Sequence, residues 1–108
     1  MFFNSNRINS VSPERLNEKM RRGDDFYLLD VRTPGENAAS SIPGSHLIPL
    51  QEVGHRMQEL PKDKEIVAYC RVGNRSAYVS SFLAQQGYNV KNLEGGILQW
   101  NRSETGSL

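Results

Sequence analysis

Two short apolar runs constrain the fold of this chain more than any other feature. Residues 26–31 (FYLLDV) and 65–69 (EIVAY) are nearly continuous apolar segments bounded by polar turns. Strands that are buried on both faces have this pattern, whereas half-exposed strands alternate between apolar and polar residues. Helical patterns lie between and after the two runs, and strands that alternate with helices form parallel sheets through right-handed crossovers. The sequence therefore predicts an α/β fold in which a mostly parallel sheet is covered by helices on both faces.

The remaining elements are predicted from caps, periodicity and turn residues. Ser12 is a typical N-cap before Pro13, and the helix that begins there should end near Gly23. The rest of the chain is predicted to contain an ordered loop at 32–45, a strand at 46–48, a short helix at 51–60, a helix at 76–86, a strand at 89–93, a helical turn at 97–100 with Trp100 in the core, and a frayed tail at 102–108.

Length and charge exclude several classes of protein. The chain has 108 residues, the size of a single domain, with an ordered core expected from about residue 5 to residue 101. Lys and Arg number 13 and Asp and Glu 12, a formal net charge of +1, so no basic face is expected to bind nucleic acid. No apolar run is long enough to cross a membrane, and the first residues lack the features of a secretory signal. We therefore expect a cytoplasmic protein with neither nucleic acid nor membrane as a partner.

The single cysteine, Cys70, lies where chemistry is expected in a parallel sheet, at the carboxyl end of a strand and just before a helix. It cannot form an internal disulfide, and no second cysteine is present to help build a zinc site. Cys70 is therefore either a small buried core residue or a reactive group.

The loop after Cys70 favours the reactive alternative. It reads Arg71-Val72-Gly73-Asn74-Arg75, and Gly and Asn adopt positive φ most readily, so that successive N–H groups can converge on one anion. A thiolate or persulfide of Cys70 would be that anion, stabilised by the helix N-terminus. Arg71 and Arg75, if turned toward the sulfur, would add to this effect and attract a dianionic donor such as thiosulfate. We predict a Cys70 that is largely ionised at neutral pH.

Asp30 and Arg32, at the end of the first buried run, are candidates for a supporting role beside this loop. The alternatives are a strand-end carboxylate that accepts hydrogen bonds from a neighbouring turn and a solvent-facing arginine. His46 and His55 are unpaired in sequence, and we expect surface or packing residues rather than metal ligands.

Several blocks of residues together resemble the rhodanese family over nearly the whole chain. These blocks are Leu29-Asp30-Val31-Arg32, Ile42-Pro43-Gly44, Ile48-Pro49-Leu50, Cys70-Arg71-Val72-Gly73-Asn74-Arg75-Ser76, and Leu93-Glu94-Gly95-Gly96 with Trp100. The resemblance implies a single rhodanese-like α/β domain with a central five-stranded, mostly parallel sheet and helices on both faces. The chain departs from the family at Ser40-Ser41, where many relatives have Gly-His, and at Asn37, where an aromatic residue is common.

The resemblance also implies a reaction, the ping-pong transfer of a sulfane sulfur through a cysteine persulfide, with no cofactor and no metal. Cys70 takes the nucleophile position, the N–H groups from Arg71 to Arg75 would cradle the persulfide, and both arginines would bind the donor anion or steady the loop. Ser76, Asp30 and Arg32 match family residues near the loop. The implied partners are a small anionic sulfur donor and an acceptor that is a thiol, cyanide or a protein.

Two other functions stay open. Phosphatases and arsenate reductases of related fold use the same cysteine on a tetrahedral oxyanion, but their loop is one residue longer than the stretch from Cys70 to Arg75, which leaves this ring of amides cramped for phosphate. The second alternative is a non-catalytic rhodanese-like module that binds, regulates or carries sulfur, although such modules often lack the cysteine that is present here.

Overall fold

The structure, a computed structural model, describes residues 8–106, with side chains described as far as Ser103. Its elements in chain order are β1 (Ser10–Val11), α1 (Pro13–Arg22), β2 (Phe26–Asp30), α2 (Pro34–Ala39), β3 (His46–Leu47), α3 (Val53–Arg56), β4 (Glu65–Tyr69), α4 (Asn74–Gln85), β5 (Val90–Leu93) and α5 (Gly96–Gly106). Five strands form one sheet in the order β1-β5-β4-β2-β3, and each pairing is parallel. The predicted α/β fold with a parallel sheet is confirmed.

Alternate residues of the central strand β4 face two separate cores, as in a sheet covered on both sides. Ile66 and Ala68 lie in one core, Val67 and Tyr69 lie in the other, and all four are fully buried. The first core includes Val53 of α3 and Val79 and Leu83 of α4, and the second includes Leu16 of α1 and Ile97 and Trp100 of α5. The helices therefore cover both faces, and Trp100 is a core residue as predicted.

The first helix and the first strand show what local patterns reveal and what they miss. Helix α1 has the predicted cap, because the Ser12 hydroxyl accepts the Arg15 N–H at 3.1 Å, and it ends at Gly23 with φ 71°. Strand β1 is only Ser10–Val11, too short for any periodicity. Its pairing with β5 supplies the fifth strand that the family resemblance implied.

The predicted loop at 32–45 is wrong in its first half, where helix α2 forms. The Glu36 N–H donates to Thr33 Oγ1 at 3.1 Å, and the Thr33 N–H donates to Glu36 Oε1 at 3.0 Å. This reciprocal capping box, with Pro34 at the first helical position, starts a helix that the Thr-Pro-Gly turn signal conceals.

Two other boundaries differ from the prediction. The helix expected at 51–60 is split into α3 and two flanking 3-10 turns, Leu50–Glu52 and Met57–Glu59, since Pro49 offers no side-chain cap and Gly54 weakens the helix. The expected tail from residue 102 is helical as far as Gly106, because α5 is anchored by Trp100, whose indole N–H donates to Asn17 Oδ1 at 2.9 Å.

The predicted ordered stretch 5–7 and tail residues 107–108 lie outside the described residues. Within 8–106, no helix has both the length and the apolar character needed to cross a bilayer.

Candidate active site

Cys70 directly follows β4 at the carboxyl edge of the sheet, and only 1% of its surface is exposed. Its sulfur is approached by the Gly73 N–H at 3.1 Å, the Ser76 N–H at 3.4 Å and the Ser76 hydroxyl at 3.4 Å. A neutral thiol is a weak acceptor, so several donors aimed at one sulfur match a thiolate or a persulfide. An inert core cysteine would not need these donors.

The loop that carries these donors depends on Gly73. Its φ of 110° is one that residues with a side chain rarely adopt, and an added Cβ would lie 3.5 Å from the Gly95 nitrogen. The Gly73 carbonyl accepts the Ala77 N–H at 3.0 Å, so that α4 begins at Asn74, two residues before its predicted start. The positive end of α4 therefore meets the sulfur directly.

The hydrogen bonds decide the acidity of Cys70. Burial by itself raises the pKa of the Cys70 thiol, but the Ser76 hydroxyl, the Ser76 N–H and the N–H groups of Gly73 and Arg75 lower this pKa by more. The net pKa lies below that of an ordinary cysteine. A lowered pKa enlarges the thiolate fraction at neutral pH, and the thiolate is the nucleophilic form.

Replacing Ser76 with alanine should slow the alkylation of Cys70 at neutral pH on the order of tenfold, as expected when a charged group loses a hydrogen bond worth about 1.5 kcal/mol. Iodoacetamide alkylation rates measured against pH check this, and the profile should move to higher pH. Ser80→Ala is the matched control, because Ser80 is also buried on the same helix and its hydroxyl has no hydrogen-bond partner among the described residues. An unshifted Ser76→Ala profile would show that the hydroxyl does not stabilise the thiolate.

Asn92, in β5, belongs to this site although sequence reasoning did not select it. Ser76 Oγ lies 2.6 Å from Asn92 Oδ1, so that its single proton can reach either this oxygen or the Cys70 sulfur. The Asn92 amide donates to the Gly73 carbonyl at 3.3 Å. Asn92 is 8% exposed, in a strand whose other buried residues are apolar. The signal available in the sequence was an amide inside the predicted strand at 89–93. Asn92 therefore positions both the Ser76 hydroxyl and Gly73 in the sulfur-binding loop, which comprises residues 70–76.

The start of α5 is hydrogen-bonded to the backbone of the same loop. The N–H groups of Ile97 and Leu98 donate to the carbonyls of Cys70 and Arg71 at 2.9 and 3.1 Å. Gly96 makes this approach possible, since an added Cβ would lie 2.3 Å from the Arg71 oxygen. The sequence indicated only a turn at Gly95-Gly96, whereas in the structure Gly96 also allows the start of α5 to bind the backbone of Cys70 and Arg71.

The two loop arginines have different surroundings. The Arg75 guanidinium makes a two-point ion pair with Glu36 of α2, at 2.8 and 2.9 Å. The hydrogen bond to Glu36 and, to a smaller extent, the nearby Cys70 sulfur raise the pKa of Arg75. The Arg71 side chain is exposed and has no polar partner among the described residues. Val72 and Asn74, the other loop residues named from sequence, are also exposed.

Asp30 and Arg32 form a buried ion pair beside the loop, with 0% and 4% of their surfaces exposed. Asp30 accepts the Arg32 backbone N–H at 2.9 Å and its guanidinium at 2.9 and 2.8 Å. The alternative of a solvent-facing Arg32 is therefore wrong, whereas Asp30 does bind the neighbouring turn. Within the described residues, neither side chain makes a hydrogen bond to the Cys70 sulfur. The supporting role beside the loop stays a prediction.

This pair organises the segment that departs from the family pattern. Arg32 donates to the Ser40 carbonyl at 2.7 Å, and Asn37 donates to Asp30 at 3.0 Å. The hydroxyl of Tyr69, the residue before Cys70, donates toward Asp30 at 3.2 Å and accepts the Ile42 N–H at 3.1 Å. Asn37 and Ser40 are thus parts of one network that joins α2 to the end of β4.

Outside this site, His46 stacks on Tyr27, with ring centroids 4.4 Å apart, so that it is a packing residue.

Comparison with known proteins identifies the family. The family model described as the rhodanese-like domain matches residues 12–103. The chain belongs to the rhodanese-like domain family. This rhodanese-like domain is 42% identical to a sulfurtransferase of Allochromatium vinosum over 88% of its own length and 90% of the relative. It is 39% identical to a putative sulfurtransferase, YtwF, of Bacillus subtilis, which covers 86% of this chain and 90% of that protein.

A solved structure gives the same result for the fold. The crystal structure of a rhodanese-related protein from Thermoplasma volcanium matches with a TM-score of 0.82 and 36% identity, over 88% of this chain and 92% of that one. The relatives support sulfur transfer as the general activity of the rhodanese-like domain.

Proposed function

We propose that this rhodanese-like domain carries a sulfane sulfur as a persulfide on Cys70, taking it from a small anionic donor and passing it to a thiol or to cyanide. The observation that supports this most is the set of donors from Gly73 and Ser76 that converge on a buried sulfur. Sulfur transfer needs this arrangement because the sulfur must be anionic before attack and again when it leaves.

In the first half-reaction the Cys70 thiolate attacks the outer sulfur of thiosulfate. A bond forms between Sγ and that sulfur, the sulfur–sulfur bond of thiosulfate breaks, and sulfite leaves with the bonding electron pair. The N–H groups of the loop stabilise the thiolate that starts this step and can hold the anionic outer sulfur of the persulfide that ends it.

In the second half-reaction the acceptor, a thiolate or cyanide, attacks the outer sulfur of the persulfide. The bond between that sulfur and Sγ breaks, and the electron pair returns to Cys70 as the thiolate. The lowered pKa of Cys70 makes it a better leaving group in this step. Each half-reaction balances without an external oxidant or reductant, and we expect the cycle to run in the reducing cytoplasm, where Cys70 stays free.

Steady-state kinetics with thiosulfate and cyanide test this function. Thiocyanate should form, and double-reciprocal plots at several fixed cyanide concentrations should be parallel, because sulfite leaves before cyanide reacts. Intersecting lines would contradict a persulfide intermediate that is free of the first product. Absence of thiocyanate, together with hydrolysis of p-nitrophenyl phosphate, would favour the phosphatase alternative.

A further inference from the structure

The ion pair between Arg75 and Glu36 joins the sulfur-binding loop, residues 70–76, to α2. Both carboxylate oxygens of Glu36 are used, each by a different guanidinium nitrogen of Arg75, at 2.8 and 2.9 Å. The two side chains are about one-third exposed, so that the pair lies at the surface beside the loop rather than in the core. A two-point pair of this kind fixes the direction of the guanidinium.

Glu36 cannot easily leave this position. Its Oε1 also accepts the Thr33 N–H at 3.0 Å and the Thr33 hydroxyl at 3.2 Å, as part of the capping box of α2. The hydrogen bond from Arg75 is the largest of the effects that lower the pKa of Glu36 to about 2. The carboxylate is therefore charged throughout any practical assay range.

The ion pair reduces the positive charge that the sequence predicted around Cys70. The sequence suggested that both loop arginines would attract the donor, but the charge of Arg75 is already balanced by the Glu36 carboxylate. Arg71, exposed and without a polar partner in the described part of the chain, is the loop cation that stays available. A single available loop cation balances the charge of a monoanionic donor but only half the charge of a dianionic donor.

We propose that Glu36 is a specificity-determining residue, whose carboxylate neutralises the Arg75 guanidinium beside the sulfur and lowers the preference of the site for dianionic over monoanionic sulfur donors. This inference rests on the proposed function. Its chemistry requires no contact between Glu36 and the donor, only that the carboxylate compete with the donor for one guanidinium and repel a second negative charge.

Two donors with the same reacting sulfur and different charge test the proposal, namely thiosulfate, a dianion, and benzenethiosulfonate, a monoanion. With cyanide as acceptor, Glu36→Gln should raise the ratio of kcat/KM for thiosulfate to that for benzenethiosulfonate on the order of tenfold, mainly through KM for thiosulfate. The effect should shrink as salt is added. Glutamine can keep the capping box, so α2 should persist in this variant.

Two further variants complete the experiment. Glu59→Gln is the matched control, because it removes the same charge from another Arg–Glu pair, with Arg56, and should leave the ratio unchanged. Arg71→Gln, at an exposed position, should lower the ratio, because it removes the available loop cation.

The outcomes separate the inference from the function on which it rests. An unchanged ratio in Glu36→Gln, including an equal loss with both donors, would overturn the role of Glu36 while the wild-type protein remains a sulfurtransferase. A wild-type protein that uses neither donor would overturn the proposed function itself.

Discussion

Replacing Gly96 with alanine should abolish most sulfur transfer and destabilise the domain. The new Cβ would lie 2.3 Å from the Arg71 oxygen and 2.5 Å from the Cys70 oxygen, and Gly96 has a φ of 62°. Both contacts are with backbone, so either the sulfur-binding loop or the start of α5 must move. We expect a loss of about 2–4 kcal/mol in unfolding free energy from strain and overpacking. Activity should fall about a hundredfold, since a shift of about 1 Å in a reacting group can cost that much.

Denaturant unfolding and thiocyanate formation measure the two effects on the same sample. Gly54→Ala is the matched control, because no atom outside its own helix and its chain neighbours lies within 4 Å of the Cβ that it adds, and its φ is not positive. That variant should keep wild-type activity. A Gly96→Ala protein with full activity would show that α5 does not set the position of the loop.

Replacing Asp30 with asparagine should cost about 3 kcal/mol of unfolding free energy, the largest effect on stability expected from any isosteric change at this site. The substitution leaves the Arg32 guanidinium buried without a counter-charge, and it weakens the links from Asp30 to Asn37 and Tyr69. Urea unfolding at neutral pH measures the loss. Asp25→Asn is the control, because Asp25 is exposed in its pair with Lys64 and surface pairs contribute at most about 1 kcal/mol.

The same pair predicts how stability depends on pH. Burial raises the pKa of Asp30, but the Arg32 guanidinium, the Asn37 amide and the Arg32 N–H lower it by more, so that its pKa in the folded protein lies below the ordinary value. A lowered carboxyl pKa stabilises the fold fully above the unfolded-state pKa of about 4, and this contribution is lost as the pH falls through the folded-state pKa. The difference between wild type and Asp30→Asn should therefore narrow in acid. A difference that is constant from pH 7 to acid would contradict a charged Asp30 as its source.

The parts of the fold that the sequence predicted are those controlled by local patterns. The continuous apolar runs of β2 and β4 and the Ser12 cap of α1 need no distant partner to be recognised. Strand β1 has two residues and exists only because β5 accepts it, so no local signal could reveal it. Helix α2 was missed for a different reason, because Thr33-Pro34-Gly35 carries both a turn signal and the start of a capping box.

The candidate site likewise has a part that local sequence patterns predicted and a part that depends on contacts distant in sequence. Cys70 and its loop follow from a strand end, a glycine and a helix start, all close in sequence. The partners of the loop come from elsewhere in the chain: Glu36 lies 39 residues from Arg75, and Asn92 lies 16 residues from Ser76. Such contacts depend on how the strands are ordered in the sheet, which single residues do not disclose. The sequence therefore suggested two arginines that face the donor, whereas the fold pairs one of them with a carboxylate.

The proposed transfer requires a persulfide on Cys70, and intact-mass spectrometry detects one without any assumption about the acceptor. The reduced protein is incubated with thiosulfate, freed of small molecules and weighed beside Cys70→Ser, which keeps the size of the side chain and removes the sulfur. We expect the wild type alone to gain the mass of one sulfur atom, and cyanide to remove it with release of thiocyanate. A wild type that gains no sulfur from any donor, or a gain that persists in Cys70→Ser, would show that Cys70 does not carry the transferred sulfur.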